Sequence, residues 1–266
     1  MCLLVLAWQA HARYRLVVAA NRDEYHERPA APLAKWPPPA DLVAGRDLGA
    51  QGTWLGVDRR RRFGVVTNFR ELQRGLPGAP SRGELVPRYL EAAPQSAAPP
   101  PQEFFARLAP QAARYSGFNL LLADAHALWY GSNRATPFAR ALPRGVYGLS
   151  NELLDTPWPK LQRVRAGFEA WLQAPQPPAP AALFALLADR TATLTDDAPA
   201  HSGGLPREWA RALSAPFVVN PEYGTRCSTV LLLEPDGGLY LAERRFDPAG
   251  EPAGETEFSL GPGAWP

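Results

Sequence analysis

Apolar residues crowd positions 2–8 and 15–21, and the polar stretch Gln9-Ala10-His11-Ala12-Arg13 divides them. Two short apolar runs around a polar break predict an antiparallel hairpin. With the turn centred near residues 11–12, facing positions sum to about 23, which sets Cys2 opposite the polar end of the second strand, Asn21-Arg22-Asp23-Glu24. A slip of one or two places leaves the same cluster beside Cys2. Three further hairpins follow from the same pattern. GTWLGV and RFGVVTNF flank the run Arg59-Arg60-Arg61-Arg62; GFNLLLA and ALWYG flank Asp124-Ala125-His126; RCSTVLLLE and LYLAERRF flank the turn Pro235-Asp236-Gly237-Gly238.

Helical periodicity is confined to fewer segments. Ser81 with Glu84 three residues on predicts a capping box before Leu85, and Thr156-Pro157 predicts an N-cap and a proline at the first helical position. After the latter, Leu161, Val164, Phe168, Trp171 and Leu172 fall on one face. EFFARLA near 103–109 and PAALFALLADR near 180–190 are two more helices. Hairpins in succession, with helices grouped between them, predict an α+β fold of antiparallel sheets covered by helices.

The length of 266 residues allows one large domain or two small ones. The 30 prolines gather in Trp36–Pro39, Pro94–Pro101 and Pro175–Pro180, and apolar periodic segments resume after each, so these read as stiff loops within one domain spanning 1–266. A net charge of +2 argues against nucleic acid or an anionic membrane as an obligatory partner, and the four-arginine run reads as a solvated turn. Two cysteines make no disulfide framework and suit a reducing compartment. The apolar start lacks a basic leader and is interrupted by Gln9, His11 and Arg13, and no apolar run reaches the ~20 residues of a membrane span. A cytoplasmic location is expected.

The chemistry begins at residue 2. Removal of Met1 would leave Cys2 with a thiol and a free α-amine, a pair in which the sulfur attacks a carbonyl and the amine carries the proton. Such a site needs a cation, a carboxylate near the amine, and donors for the oxyanion. The hairpin supplies Arg22 and Asp23. Arg22 and the protonated amine are expected to hold the Cys2 thiol below its ordinary value of ~8.5. The four histidines show no metal-ligand spacing, and neither a zinc site nor a phosphate-binding glycine loop is expected.

The ordered set MCLLVLAW, VVAANRDE, GTWLGV, TNFR, GLSN and YGTRCSTV, running from residue 2 to about 233, resembles the NRDE family, proteins similar to transport and Golgi organisation 2. The resemblance implies an N-terminal nucleophile hydrolase-like αββα sandwich, distantly similar to penicillin V acylase and bile salt hydrolase. Motif by motif, it implies Cys2, Arg22 and Asp23 as catalytic residues, Asn68 and Asn151 as oxyanion donors, and Arg226 as a later catalytic arginine. Asn21 and Glu24 are expected to contact substrate. Arg22 and Asp23 are adjacent here, unlike the acylase spacing.

Each residue also has a plain structural explanation. Cys2 is then a small buried side chain, Arg22 and Asp23 a surface ion pair, Asn68 and Asn151 strand ends, and Cys227 core packing. Two functions stand open. One is a cysteine-dependent amidohydrolase or acyl hydrolase acting on a small amide, ester or thioester without a cofactor. The other is a non-catalytic protein binding haem or lipid and acyl-CoA, roles with which the family has been linked; isolated His26, Cys2 or Cys227 would then have to ligate a haem, since no Cys-x-x-Cys-His motif occurs. A scaffold for other proteins would show an interaction tail or a repeat, and the sequence displays neither.

Overall fold

The computed structural model describes residues 2–71, 78–91, 98–175, 179–194 and 206–266. Met1, His201 and parts of the second and third proline-rich stretches lie outside them. In chain order the elements are β1 (Cys2–Trp8), β2 (Leu16–Tyr25), β3 (Ala30–Lys35), β4 (Leu42–Asp47), β5 (Leu55–Asp58), β6 (Phe63–Asn68), α1 (Leu85–Leu90), α2 (Pro101–Leu108), β7 (Phe118–Ala123), β8 (Leu128–Ser132), β9 (Ala139–Leu142) and β10 (Gly145–Leu149). Then come α3 (Pro159–Gln173), α4 (Pro180–Leu187), α5 (Arg207–Ala212), β11 (Tyr223–Leu233), β12 (Leu239–Phe246) and β13 (Pro252–Leu260). All strand pairs are antiparallel. One sheet runs β10-β1-β2-β11-β12-β13 and the other β3-β4-β5-β6-β7-β8-β9.

Alternation along the strands divides the apolar residues among three layers. Leu4, Leu6, Leu16 and Val18 face the second sheet and meet Val43, Leu55, Val57 and Val65. Their neighbours Leu3, Val5, Val17 and Ala19 point the other way, onto Leu161, Val164 and Phe168 of α3 and Leu183 and Phe184 of α4. On the far side, α1 and α2 cover the second sheet through Leu85, Val86, Phe104 and Phe105. The result is the αββα sandwich. No helix among the described residues is long and apolar enough to cross a membrane.

The four hairpins form where the pattern placed them. In the first, Cys2 faces Arg22, one place from the expected register. Several local expectations are corrected. The helix expected at Thr156-Pro157 starts at Pro159, with Trp158 as N-cap, because the Thr156 hydroxyl donates to the Leu153 carbonyl instead. Ser81 Oγ accepts from the Gly83 N–H and opens a single 3-10 turn, while the Glu84 carboxylate is taken by Tyr115 and Arg88, so no capping box forms. The arginine turn is only half solvated. Arg59 and Arg60 are exposed, whereas Arg62 is buried in an ion pair with Asp58 (2.6 Å) and Arg61 donates to the Gly237 and Ala264 carbonyls, each at 2.7 Å. A turn that closes over the sheet ends needs cations with carbonyl partners.

A polar bridge crosses the inter-sheet core between β12 and β3. Glu243, on β12 and 2% exposed, accepts the Leu33 N–H of β3 at 2.9 Å and pairs with the Cys227 thiol. Burial raises its carboxyl above the usual range, against the pull of the Leu33 N–H. A raised acid contributes stability that is complete below its unfolded value and is lost as pH rises through its folded value. Glu243→Gln, which keeps the acceptor and cannot ionise, should therefore flatten the fall in urea midpoint over that rise. Glu243→Leu leaves the Leu33 N–H unpaired and should cost about 1–3 kcal/mol. A wild-type midpoint that climbs across the same range would contradict this.

Candidate active site

Residue 22 is the meeting point of three strands. Arg22 pairs with Cys2 of β1 on one side and with Cys227 of β11 on the other, so all three side chains lie on the inter-sheet face. Asn21 and Asp23, alternating with Arg22, point to the helix layer. Adjacent residues in the sequence thus serve opposite faces of the sheet.

A cleft of about 80 Å³ opens where β1 starts and β2 ends, lined by Cys2, Arg22, Asp23, Glu24 and Asn68 together with Arg28, Asp47, Thr53, Trp54 and the turn Ser81–Gly83. Arg22 is 6% exposed. Its guanidinium lies 4.4 Å from the Trp54 ring centroid and reaches Asp47 at 3.6 Å and Glu24 at 3.8 Å, while Nη1 has no hydrogen-bond partner among the described residues. A desolvated cation–π contact of this kind is worth about 2 kcal/mol. Arg28 completes the lattice through Asp47 at 2.7 Å. Those cations hold the Asp47 carboxyl below its usual range although burial acts the other way.

Two glycines make the wall possible. A Cβ on Gly45 would stand 2.4 Å from the Trp54 ring, and one on Gly52 would stand 2.3 Å from the Gly83 carbonyl oxygen, which accepts the Thr53 N–H. Close approach there presses the Trp54 segment against the Ser81–Gly83 turn.

The Cys2 sulfur lies deep in the cleft and receives the Asp23 backbone N–H. Burial pushes its thiol up, Asp23 adds to the rise, and Arg22 opposes it. The expected depression is therefore reversed, because desolvation of the thiolate outweighs the nearby cation. The residue-2 nitrogen donates to Asn151 Oδ1 at 2.7 Å, and Asn151 Nδ2 donates to the Asn68 carbonyl at 2.9 Å. A flipped amide would set donor against donor and acceptor against acceptor, so the network fixes its orientation. Asn151 has a left-handed backbone, φ 60°. Asn68 lines the cleft, and its side-chain amide has no hydrogen bond among the described residues.

Beneath Cys2, Asp23 Oδ1 accepts the Thr225 hydroxyl at 2.7 Å, and its carbonyl accepts the Tyr223 hydroxyl at 2.6 Å. Burial raises the Asp23 carboxyl, opposed in part by Lys160. Lys160, on α3 and 4% exposed, donates to the Leu213 carbonyl at 2.8 Å; burial lowers its ammonium, and the charges of Asp23 and Cys2 resist.

Cys2, Arg22, Asp23, Glu24 and Asn68 are thus brought to one cleft, with Asn151 directly behind it. Two expected residues are not. Asn21 donates to the Leu187 and Pro216 carbonyls and accepts the Ser228 hydroxyl, all in the helix-facing layer. Arg226 sits in the bulge between Thr225 and Cys227, and its Nη1 donates to the carbonyls of Tyr25, His26 and Arg28, closing the loop after β2 from outside. Trp54, Arg82, Asp47 and Lys160 went unnoticed in the sequence. Lys160 did carry a signal, since it precedes Val164 and Phe168 at helical spacing on the buried stripe.

Asn151→Ala removes two buried hydrogen bonds and should cost about 2–4 kcal/mol in urea unfolding. Asn151→Gly loses the same bonds but is at ease at positive φ, so it should be more stable than the alanine variant by about 1 kcal/mol. Equal stability of the two variants would show that the backbone at 151 sets no constraint.

Comparison with known proteins supplies the family. The profile of the family described as Transport and Golgi organisation 2 matches residues 1–248. The chain is 35% identical over 268 aligned positions to the Transport and Golgi organization protein 2 homolog of Bos taurus, covering 93% of each chain. It is 33% identical to the Homo sapiens homolog, covering 87% of this chain and 86% of the relative. Identity to the Drosophila melanogaster Transport and Golgi organization protein 2 is 27%, over 90% of this chain and 89% of the relative. With the match running through both sheets and the Asn21–Glu24 strand at the cleft, the chain belongs to the Transport and Golgi organisation 2 family.

Proposed function

We propose that this protein is a cysteine-dependent N-terminal nucleophile hydrolase acting on a small amide, ester or thioester. The observation that carries the reading is the pairing at residue 2: the sulfur lines the cleft while the nitrogen is held by Asn151 Oδ1. After loss of Met1, that nitrogen would be an α-amine within reach of its own thiol, with a reference pKa of ~7.7–8.0. Because burial keeps the sulfur protonated at rest, the proton leaves as the carbonyl is attacked. The thiol proton passes to the amine, the S–C bond forms, and the carbonyl oxygen takes the negative charge opposite the Asn68 amide. Collapse breaks the bond to the leaving group, which takes the proton from the amine. Water, deprotonated by the same amine, then cleaves the thioester and restores Cys2. Asp23, at the floor of the cleft, and the Lys160 charge behind it would orient the amine.

The alternative, a binding or trafficking protein without turnover, is supported by the name shared by the relatives. The residues do not fit a haem. His26 Nε2 is 2.9 Å from the Asn220 carbonyl and Cys227 is sealed against Glu243, so neither joins Cys2 at the cleft.

Intact-mass measurement should give a chain beginning at Cys2, and iodoacetamide should label Cys2 before Cys227 at every pH from about 6 to 9. Labelling should rise through the alkaline side, since burial lifts the thiol. Arg22→Ala, which removes a charge favouring thiolate at both cysteines, should slow Cys2 further, while Cys227 stays unreactive because it is buried. Retained Met1, or equal slow labelling of both cysteines in both proteins, would leave the binding reading as the better account.

A further inference from the structure

The three arginines that line the cleft are not equally paired. Arg22 and Arg28 share Glu24 and Asp47 in a lattice of contacts from 2.7 to 3.8 Å. The Asp23 carboxylate belongs to the layer beneath, with Thr225 and Lys160. Arg82 is left over. It lines the cleft and donates through Nη1 to the Gly117 carbonyl at 3.0 Å, but no carboxylate lies within ion-pair distance of it among the described residues. Burial pulls its guanidinium down, and the charges of Glu24, Cys2 and Glu71 oppose this without forming an ion pair. Arg22 is more than nine-tenths buried and its Nη1 is unpartnered among the described residues. Two guanidiniums, one with Nη1 unpartnered and one without an ion pair among the described residues, therefore border the same small space as the Cys2 sulfur.

We infer that Arg82 and Arg22 form a carboxylate-binding subsite beside Cys2, and that the substrate is a small acyl compound bearing one carboxylate a few bonds from the carbonyl under attack. The inference rests on the reading of Cys2 as a nucleophile. A guanidinium fork matches the two oxygens of a carboxylate, and hydrogen bonds to such a group are strong because both partners are charged. One uncompensated cation suits a monoanion better than a phosphate monoester, which carries about −1.5 to −2 at neutral pH. The cleft, about 80 Å³, suits a short acid.

Two alkylating reagents of nearly the same size separate the possibilities. Iodoacetamide is neutral and iodoacetate carries the carboxylate, and at a free thiol the amide reacts faster. At Cys2 the order should reverse, with the iodoacetate-to-iodoacetamide rate ratio raised about tenfold or more over a free thiol, as one charged hydrogen bond requires. Iodoacetate labelling should saturate and be blocked by propionate, not by propionamide or inorganic phosphate. Arg82→Gln should return the ratio to that of a free thiol, with continued protection of buried Cys227 reporting that the variant is folded. Calorimetric titration of Cys2→Ser with propionate should show binding that Arg82→Gln abolishes in the same background. A ratio unchanged by Arg82→Gln, or equal slowing with both reagents, would assign Arg82 to the thiolate alone and overturn the subsite. Protection by phosphate in place of propionate would overturn the choice of carboxylate. Rapid iodoacetamide labelling without preference, and without propionate binding, defeats the subsite and spares the nucleophile; propionate binding with an unreactive Cys2 defeats the nucleophile alone.

Discussion

Burial of one guanidinium organises this protein. Arg22 lies at the centre of three paired strands and close to the second sheet, where an unaccompanied charge would be prohibitively costly. Its enclosure demands the Trp54 face on one side and the carboxylates of Glu24 and Asp47 along an edge. Those partners come from β2, β4 and the segment before β5, so satisfying the charge fixes how the two sheets meet at this end. Gly45 follows from the same demand, since any larger residue would displace the Trp54 ring.

The period-two alternation of β2 then divides the chemistry between two layers. Arg22 faces the cleft, whereas Asp23 and Asn21 face the helices, where Thr225, Lys160, Ser228 and two carbonyls receive them. Adjacent arginine and aspartate therefore suit a site in which the cation meets the ligand from above the sheet and the carboxylate supports residue 2 from below. Part of the cost of that buried lower layer is offset by the hydrogen bonds of Thr225, Tyr223, Ser228, Asn21 and Lys160. Cys2, at the strand edge between the layers, touches both: the Asp23 backbone N–H reaches its sulfur and Asn151 its nitrogen.

Local pattern in the sequence determined most of the architecture. Alternating apolar runs and turn residues act over a few positions, so the four hairpins, the covering helices and the placement of Cys2 beside Arg22 could be read directly. The family motifs likewise pointed to Asn68 and Asn151. Tertiary structure alone decided the rest, because the deciding partners are distant along the chain. The Cys2 thiol is raised instead of lowered, since desolvation depends on how the whole end of the sandwich closes. Asn21 and Arg226 were drawn away from the cleft by carbonyls more than a hundred residues off. Arg82 entered the site's electrostatics from a 3-10 turn that carries no mark of it locally, and Lys160 from a helix whose spacing marks it as buried but not what it faces. Periodicity specifies which face of an element is buried; which charges then find one another across the buried space is fixed only when the sheets and helices pack.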